Sequence, residues 1–292
     1  MSHQVINLLC ADFAWSGTKA TIEGEQFHRD FQRRHPLILR AEPRAKICPG
    51  KLCLTKPLRR NGHPMTDLVD TTEMYLRTIV DLEEEGIPAF RARIAERIGH
   101  SGPTVSQTIG RMERDGMVVV EADRTLTLTA SGRQRALAVA RKHRLAERLL
   151  ADVIGLEWPL VHEEACRWEH VMSEHVEKRL LTMLGHPLES PYGNPIPALE
   201  AIGGKPAPAF LEGVTRLTDV LDSDVEGELR RLGEPAQFDT ELLGQFRRAG
   251  IVPGATIRAR RSDIDTVVIA SLVENREVTV SEEVAKHLYL AS

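Results

Sequence analysis

Apolar side chains recur at helical spacing in the first well-patterned part of the chain. Between residues 71 and 85 they fall on one face of a predicted helix, with Asp70 available as a cap and Gly86 as a stop. A second, shorter helix is predicted over 91–98, where isoleucines lie four positions apart. The two segments together favour a small helical unit.

A third helix and a hairpin follow. Ser101 supplies a cap, Pro103 stands in the first turn, and Gly116 ends the helix. The period then changes to two, and strands are predicted over 118–120 and 126–128. Three helices followed by a hairpin are the order of elements in a winged helix-turn-helix.

Longer elements come next in the chain. One helix is predicted from about 131 to 154 and another from about 159 to 184, each with a single apolar stripe suited to packing on the other or on a second subunit. Residues 201–213 are rich in glycine and proline, as a linker would be. Four β-like runs then predict a small barrel, at 228–232, 256–259, 266–272 and 277–280.

The fold class expected from these patterns is mainly α with a small β domain, a multi-domain α+β protein. We expect a poorly ordered extension over 1–64, a winged helix-turn-helix over 65–137, a helical domain over 138–204, a linker over 205–214 and a β domain over 215–292.

Composition narrows the class of protein. The chain has 292 residues, of which 42% are hydrophobic and 27% charged, and no apolar run approaches the ~20 residues that cross a bilayer. The four cysteines are too scattered for a disulfide framework, and no signal peptide is recognisable. We therefore expect a soluble cytoplasmic protein without a membrane partner.

The net charge of −4 conceals an asymmetry. Residues 1–64 carry 11 Lys and Arg against 5 Asp and Glu, whereas the rest of the chain carries 27 against 37. The extension could tether the protein to DNA, but we interpret it as dispensable, with the patterned chain starting at Met65. Because the bulk is acidic, any DNA contact has to come from a local cationic patch.

A group of donor side chains suggests a metal site. Cys166, Glu169 and His170 are spaced i, i+3 and i+4 and would project from one helical face. Sulfur, oxygen and nitrogen together suit Fe, Co, Ni or Zn and suit Ca or Mg poorly. Alone, such a triplet is more often a surface carboxylate and histidine beside a buried cysteine.

A second donor group raises the odds of a metal site. His143 and Glu147 are four apart on the preceding helix, and His162 lies one turn before the cysteine. A solvated His–Glu pair is the simpler interpretation of the first two, but six such residues in 28 positions on two packed helices favour metal binding. A metal-dependent hydrolase is the alternative, although the chain has neither a His-Glu-x-x-His motif nor a nucleophile elbow.

The third helix carries the candidate DNA contacts. Gln107 can read adenine and Pro103 can contact a thymine methyl, while the arginines are placed to meet phosphates. The alternative is a winged helix that binds protein. The residues expected at the DNA interface are Arg91, Ala92, Ser101, Pro103, Thr104, Ser106, Gln107, Thr108, Arg111, Arg114 and Arg124.

Six runs closely resemble the diphtheria toxin repressor family of iron-dependent regulators. They are LVDTTEMYLRTI (68–79), RARIAER (91–97), SGPTVSQ (101–107), RKHRLAER (141–148), EACRWEHVM (164–172) and SPYGNPIP (190–197). The resemblance extends almost without gaps from about 65 to 203. It is weak beyond 214, and residues 1–64 have no recognised counterpart.

The resemblance implies two Fe(II) sites in each subunit, in which Co, Ni, Zn or Mn could substitute in vitro. The primary site would be formed by Met74, Cys166, Glu169 and His170. The ancillary site would be formed by His143, Glu147, His162 and Asp239. An associated anion would lie near Arg144, Ser190 and Asn194.

One departure from the family bears on the ancillary site. Family members complete it with a Glu and a Gln from an SH3-like C-terminal domain, and the corresponding stretch here is interpreted as 239–242. In that alignment Asp239 replaces the Glu, but Leu242 cannot replace the Gln.

The function implied is that of a homodimeric, iron(II)-dependent repressor. Its metal-loaded form would bind palindromic operators of iron-acquisition genes, because metal pins the helix near Met74 and permits docking of the winged helices on double-stranded DNA. The helical domain would then serve dimerisation and metal binding. No enzymatic activity and no small organic substrate are expected.

Overall fold

The computed structural model describes residues 70–274 and 276–292. The extension predicted over 1–64 lies outside the described residues. Within the described ranges, no helix combines the length and apolar composition that crossing a bilayer requires.

The first unit has the predicted order of three helices and a hairpin. Its elements are α1 (Thr71–Glu84), α2 (Arg91–Ile98), α3 (Gly102–Arg114), β1 (Val118–Val120) and β2 (Leu126–Leu128). The two strands pair antiparallel. The predicted helices and hairpin are confirmed to within a residue or two.

Local capping explains where these helices begin. The Asp70 carboxylate accepts hydrogen bonds from the backbone N–H groups of Thr72 (2.8 Å) and Glu73 (3.3 Å), which have no partner within the helix. The hydroxyl of Ser101 accepts in the same way from the Thr104 N–H (3.4 Å) at the start of α3.

The helical segment that follows is more divided than the sequence pattern predicts. It comprises α4 (Ala130–Leu149), a π-helical turn (Leu150–Ile154), a short 3-10 helix (Trp158–Leu160), α5 (Val161–Trp168) and α6 (Glu174–Met183). The single helix predicted over 159–184 is therefore wrong.

A turn over residues 169–173 separates α5 from α6. The N–H groups of Val171 and Met172 both donate to the Trp168 carbonyl at 3.2 Å, and Ser173 is extended with φ −83° and ψ 156°. Glu169 and His170 thus stand in the turn that ends α5 rather than on a continuous helical face.

The C-terminal part is a six-stranded antiparallel sheet. Its strands are β3 (Val214–Arg216), β4 (Val225–Leu232), β5 (Thr256–Asp263), β6 (Thr266–Ser271), β7 (Glu277–Ser281) and β8 (Leu288–Ala291), in the spatial order β3-β8-β4-β5-β6-β7. The four predicted strands are confirmed, and β3 and β8 are additional.

Short helices lie between and beside these strands. They are α7 (Glu234–Gln237), α8 (Thr240–Arg248) and α9 (Glu282–Ala285), with 3-10 turns at Leu199–Ile202 and Leu217–Val220. The segment predicted as a linker ends against the sheet, because Phe210 is buried and its ring meets that of Tyr289 edge-on at 5.1 Å.

Two of the three apolar cores of the described residues position the site. One lies inside the first unit and includes Tyr75, Ile94 and Ile109. The other is continuous from the helical segment into the C-terminal sheet, and it includes Ala165 of α5 and Leu229 of β4, both fully buried. Because this second core is shared, α7 is held over α4 and α5.

Candidate metal centre and nucleic-acid interface

Two helices bring the second predicted donor group together. His143 and Glu147 of α4 and His162 of α5 are all buried. Nε2 of His143 lies 2.8 Å from Oε1 of Glu147 and 3.2 Å from Nδ1 of His162. Burial opposes ionisation of Glu147, but the charged His143 outweighs it and lowers the Glu147 pKa to about 2.

Cys166 joins this group rather than standing apart from it. Its Sγ lies 3.7 Å from Nε2 of His162, and the ligand atoms of Cys166, His162 and His143 all lie within 4.8 Å of one another. Burial would raise the pKa of the Cys166 thiol, but the cations His162, His143 and Arg77 lower it to about 5. The side chain is therefore a thiolate at neutral pH, the form that binds metal.

The turn after α5 extends the cluster toward α1. Oε2 of Glu169 lies 2.7 Å from Nδ1 of His143, and its Oε1 lies 3.4 Å from Nε2 of His170. On its other side, Nδ1 of His170 lies 2.9 Å from Oε2 of Glu73 in α1. The two predicted donor groups therefore form one contiguous polar cluster.

Met74, the ligand implied only by the family resemblance, is half-buried, and its side chain packs against the core of the first unit. Its neighbours in α1 reach the cluster directly, since Glu73 contacts His170 and Arg77 contacts Glu169. The thioether as a ligand stays a prediction.

Asp239 is not the C-terminal residue that meets the helical donors. It is exposed, and its Oδ1 caps α8 by accepting from the N–H groups of Glu241 (3.0 Å) and Leu242 (2.9 Å). Glu234 takes that place, because its buried Oε2 lies 3.4 Å from Nδ1 of His162 and 3.9 Å from Nε2 of His143. The stretch that lies beside the helical donors is therefore 234–237 rather than 239–242.

The stretch 234–237 also contains an amide side chain. Gln237 follows Glu234 by three residues, and Leu242 belongs to the apolar core instead. Gln237 is buried, and its Nε2 donates to the Leu232 carbonyl at 2.7 Å. Among the described residues its Oε1 has no hydrogen-bond partner, nor does Oε2 of Glu147. Buried acceptors without hydrogen-bond donors are available to bind an ion.

Two buried arginines balance the charge of the cluster. Arg77, which the sequence analysis did not single out, donates hydrogen bonds to Glu169 and Glu234. Arg144 donates from Nη1 and Nη2 to the two carboxylate oxygens of Glu84 (2.9 and 2.5 Å) and from Nη1 to the Pro195 carbonyl (2.5 Å). Burial would lower the pKa of Arg144, but Glu84 and Glu234 raise it, and the side chain stays charged.

The other two residues predicted near an anion lie in one tight turn. The Ser190 N–H donates to the Asn194 carbonyl at 2.8 Å, and Arg144 contacts the same turn at Pro195. Gly193, with φ +82°, lets this turn approach the Arg230 carbonyl of β4 more closely than a Cβ would permit. Asn194 is fully buried, and both polar side-chain atoms lack partners among the described residues.

Most of the residues predicted to contact DNA are exposed, and two of them are not. Thr108 is only 8% exposed and faces the core, and Arg91 is half-buried, so we withdraw Thr108 as a base contact. The exposed members are Ala92, Ser101, Pro103, Thr104, Ser106, Gln107, Arg111, Arg114 and Arg124. Arg124 stands at the hairpin tip with φ +72°.

Comparison with known proteins identifies two family domains in the chain. A family model described as the N-terminal DNA binding domain of iron dependent repressors matches residues 67–126. A second, described as the metal binding and dimerisation domain of iron dependent repressors, matches residues 129–198. The donors on α4 and α5 lie in the second match, and the exposed face of α3 lies in the first.

Individual relatives cover most of the chain. The iron-dependent repressor IdeR of Mycobacterium leprae is 54% identical over 223 residues, which are 76% of this chain and 96% of that protein. The diphtheria toxin repressor of Corynebacterium diphtheriae is 54% identical over 194 residues, 66% of this chain and 85% of that protein. A solved manganese-dependent transcriptional repressor in complex with manganese gives a TM-score of 0.62 at 30% identity, covering 76% of this chain and all of that one.

These matches exclude the hydrolase alternative, because members of the family are transcriptional regulators and not enzymes. The described cluster of histidines, carboxylates and one thiolate, beside a helix of the DNA-binding unit, fits the same assignment. The chain belongs to the diphtheria toxin repressor family of iron-dependent repressors.

Proposed function

We propose that the protein is an iron(II)-dependent transcriptional repressor of the cytoplasm, which binds palindromic operators of iron-acquisition genes as a homodimer when it is metal-loaded. One observation carries the proposal. Donor atoms of His143, His162 and Cys166 converge within 4.8 Å, directly beside the helix that opens the DNA-binding unit.

The donor chemistry fits a transition ion. Imidazole nitrogen, thiolate sulfur and carboxylate oxygen together suit Fe(II) and exclude a site designed for Ca or Mg, which prefer oxygen alone. When bound, the ion supplies a compact positive charge that holds donors from separate elements together. The family relationship favours iron, and Co, Ni, Zn or Mn are plausible substitutes in vitro.

We assign the described donors to two sites in each subunit. The primary set is Met74, Cys166, Glu169 and His170. The ancillary set is His143, Glu147 and His162, completed by Glu234 and Gln237 in place of Asp239. Arg144, Ser190 and Asn194 are proposed to lie near an associated anion, and the unpartnered amide of Asn194 supports that role. An SH3-like identity for the C-terminal sheet belongs to the same proposal.

Metal loading is coupled to DNA binding through α1. This helix carries Met74 and contacts the donor cluster through Glu73 and Arg77. Assembly of all four primary donors selects one placement of α1 against the turn after α5. In the dimer, that placement sets the distance between two copies of α3, which have to enter successive major grooves.

An anaerobic mobility-shift titration tests the proposal. We expect the protein to shift a palindromic site from the promoter of an iron-acquisition gene only when Fe(II) is added, and a chelator to reverse the shift. Mg²⁺ is the matched control ion and should not activate binding. Equal binding with chelator and with Fe(II) would refute the proposal.

A further inference from the structure

A buried guanidinium lies among the proposed metal donors. Arg77 follows Met74 by three residues in α1 and is 7% exposed. Its Nη1 donates to Oε2 of Glu169 at 2.6 Å and lies 3.6 Å from Sγ of Cys166 and 3.0 Å from Nδ1 of His143. Its Nη2 donates to Oε2 of Glu234 at 2.5 Å. One side chain thus contacts four residues assigned to the two sites.

The electrostatic setting explains why a cation is held there. Glu169 and Glu234 are almost completely buried, and Cys166 is a thiolate beside them. Burying an anion is strongly unfavourable unless a partner charge is close. Burial would lower the pKa of Arg77, but Glu169 and Glu234 raise it further, so the guanidinium remains charged. It therefore neutralises the cluster from within.

A divalent ion and this guanidinium compete for the same atoms. The lone pair of Glu169 Oε2 that accepts from Arg77 cannot also be donated fully to a metal, and two cations a few Å apart repel strongly in a poorly solvated site. Arg144 is a weaker competitor than Arg77. Its two terminal nitrogens donate to Glu84, which is not among the proposed ligands, and its Nη2 lies at the longer distance of 3.5 Å from Oε1 of Glu234.

We propose that Arg77 is a resident counter-cation that competes with the metal for Glu169 and Cys166, and so sets the iron level at which the repressor becomes loaded. This inference rests on the proposed function and deepens it. Loading of the primary site moves Arg77 away from these two donors. Asp81, 3.7 Å from its Nε, remains as a partner, and Glu234 remains one until the ancillary site fills. Because Arg77 belongs to α1, exchange of the two cations acts on the helix that carries Met74.

Ni²⁺ binding to the full chain tests the proposal, measured by isothermal titration calorimetry at fixed pH and salt. Arg77→Gln should bind Ni²⁺ about tenfold more tightly than the wild type, because an opposing buried charge is gone. The same variant should melt at a lower temperature without metal and regain stability when Ni²⁺ is added. Arg133→Gln is the matched control, since Arg133 pairs with Glu83 of α1 at the surface, and its Ni²⁺ affinity should not change.

Arg77→Lys is a second variant that tests the proposal if Arg77→Gln does not fold. A lysine retains the charge but lacks the fork that spans two carboxylates, so its Ni²⁺ affinity should lie between those of the wild type and Arg77→Gln. A residue that merely supports the fold would give the opposite sign, with weaker binding in both variants. Affinity equal to or below that of the wild type in the folded variants would overturn the proposal. Failure of the wild type itself to bind Ni²⁺ would overturn the proposed function as well.

Discussion

Oε2 of Glu85, at the end of α1, lies 2.8 Å from Nδ1 of His287, which precedes the last strand of the C-terminal sheet. The same carboxylate accepts two hydrogen bonds from Arg97 of α2, at 2.9 and 3.1 Å. One buried carboxylate therefore joins the DNA-binding unit to the sheet, and α1 is fixed at both ends: by Glu73 near the donor cluster and by Glu85 at the sheet.

Removing this carboxylate should destabilise the protein strongly. Glu85→Ala leaves Arg97 without a partner in a largely buried setting, and breaking such a pair costs ~3–5 kcal/mol. Chemical denaturation measures the loss. Glu83→Ala is the control, because Glu83 pairs with Arg133 near the surface and exposed pairs contribute at most ~1 kcal/mol. Similar losses in the two variants would contradict the role assigned to Glu85.

The Glu85 contribution should depend on pH in the acid range. Burial opposes its ionisation, but hydrogen bonds from His287 and Arg97 outweigh burial and lower its pKa below the ordinary 4.5. A carboxylate with a lowered folded pKa stabilises the protein fully above its unfolded pKa and loses that effect as pH falls through the folded value. The stability difference between wild type and Glu85→Ala should therefore shrink on acidification below the ordinary carboxyl range. If the stability difference between the two proteins grew on acidification, the pKa of Glu85 could not be lowered by folding.

Glu234→Gln tests the proposal that Glu234, rather than Asp239, is an ancillary ligand. Neutralising this buried carboxylate should remove one of the two proposed Ni²⁺ equivalents, as counted by equilibrium dialysis. Asp239→Asn is the matched control, since asparagine keeps the helix cap while removing the charge, and it should leave the count unchanged. Loss of a Ni²⁺ equivalent in Asp239→Asn but not in Glu234→Gln would instead support Asp239 as the ligand.

Gln107→Ala tests readout of the operator by α3. Loss of a paired contact to one base should weaken operator binding by ~1–3 kcal/mol and spare binding to unrelated DNA. Arg111→Ala, an exposed arginine one turn further along α3, should weaken both and lower the salt dependence. Fluorescence anisotropy with operator DNA and with unrelated DNA separates the two cases. An equal loss of affinity for the two DNAs in Gln107→Ala would show that Gln107 contacts the DNA backbone rather than a base.

Local sequence signals predicted the first unit well because its elements are fixed locally. Asp70 and Ser101 cap their helices as their positions suggest, and the change from period four to period two marks the hairpin. The break after Trp168 was missed because the apolar stripe continues across it. Its signal is Ser173 followed by Glu174 and Glu177, a helix start inside the stripe.

The completion of the metal cluster could not be predicted in the same way. Glu234 reaches His162 only because the helices and the sheet share one core, and that core depends on contacts between distant parts of the chain. The sequence feature that could have pointed to this part of the site is a Glu and a Gln three residues apart, Glu234 and Gln237, which follow Gly233 and flank Pro235. No sequence feature marked Arg77 as part of the site, because an arginine in an amphipathic helix is usually exposed to solvent.

Operator binding by Cys166→Ala tests the central claim most directly. In fluorescence anisotropy under anaerobic conditions, Fe(II) should increase the operator affinity of the wild type and of Cys48→Ala. The latter is a control that removes a thiol from the extension. Cys166→Ala should remain folded by circular dichroism yet show no Fe(II)-dependent gain in operator affinity. Activation of Cys166→Ala at the same Fe(II) concentration as the wild type would contradict the coupling of this thiolate to DNA binding.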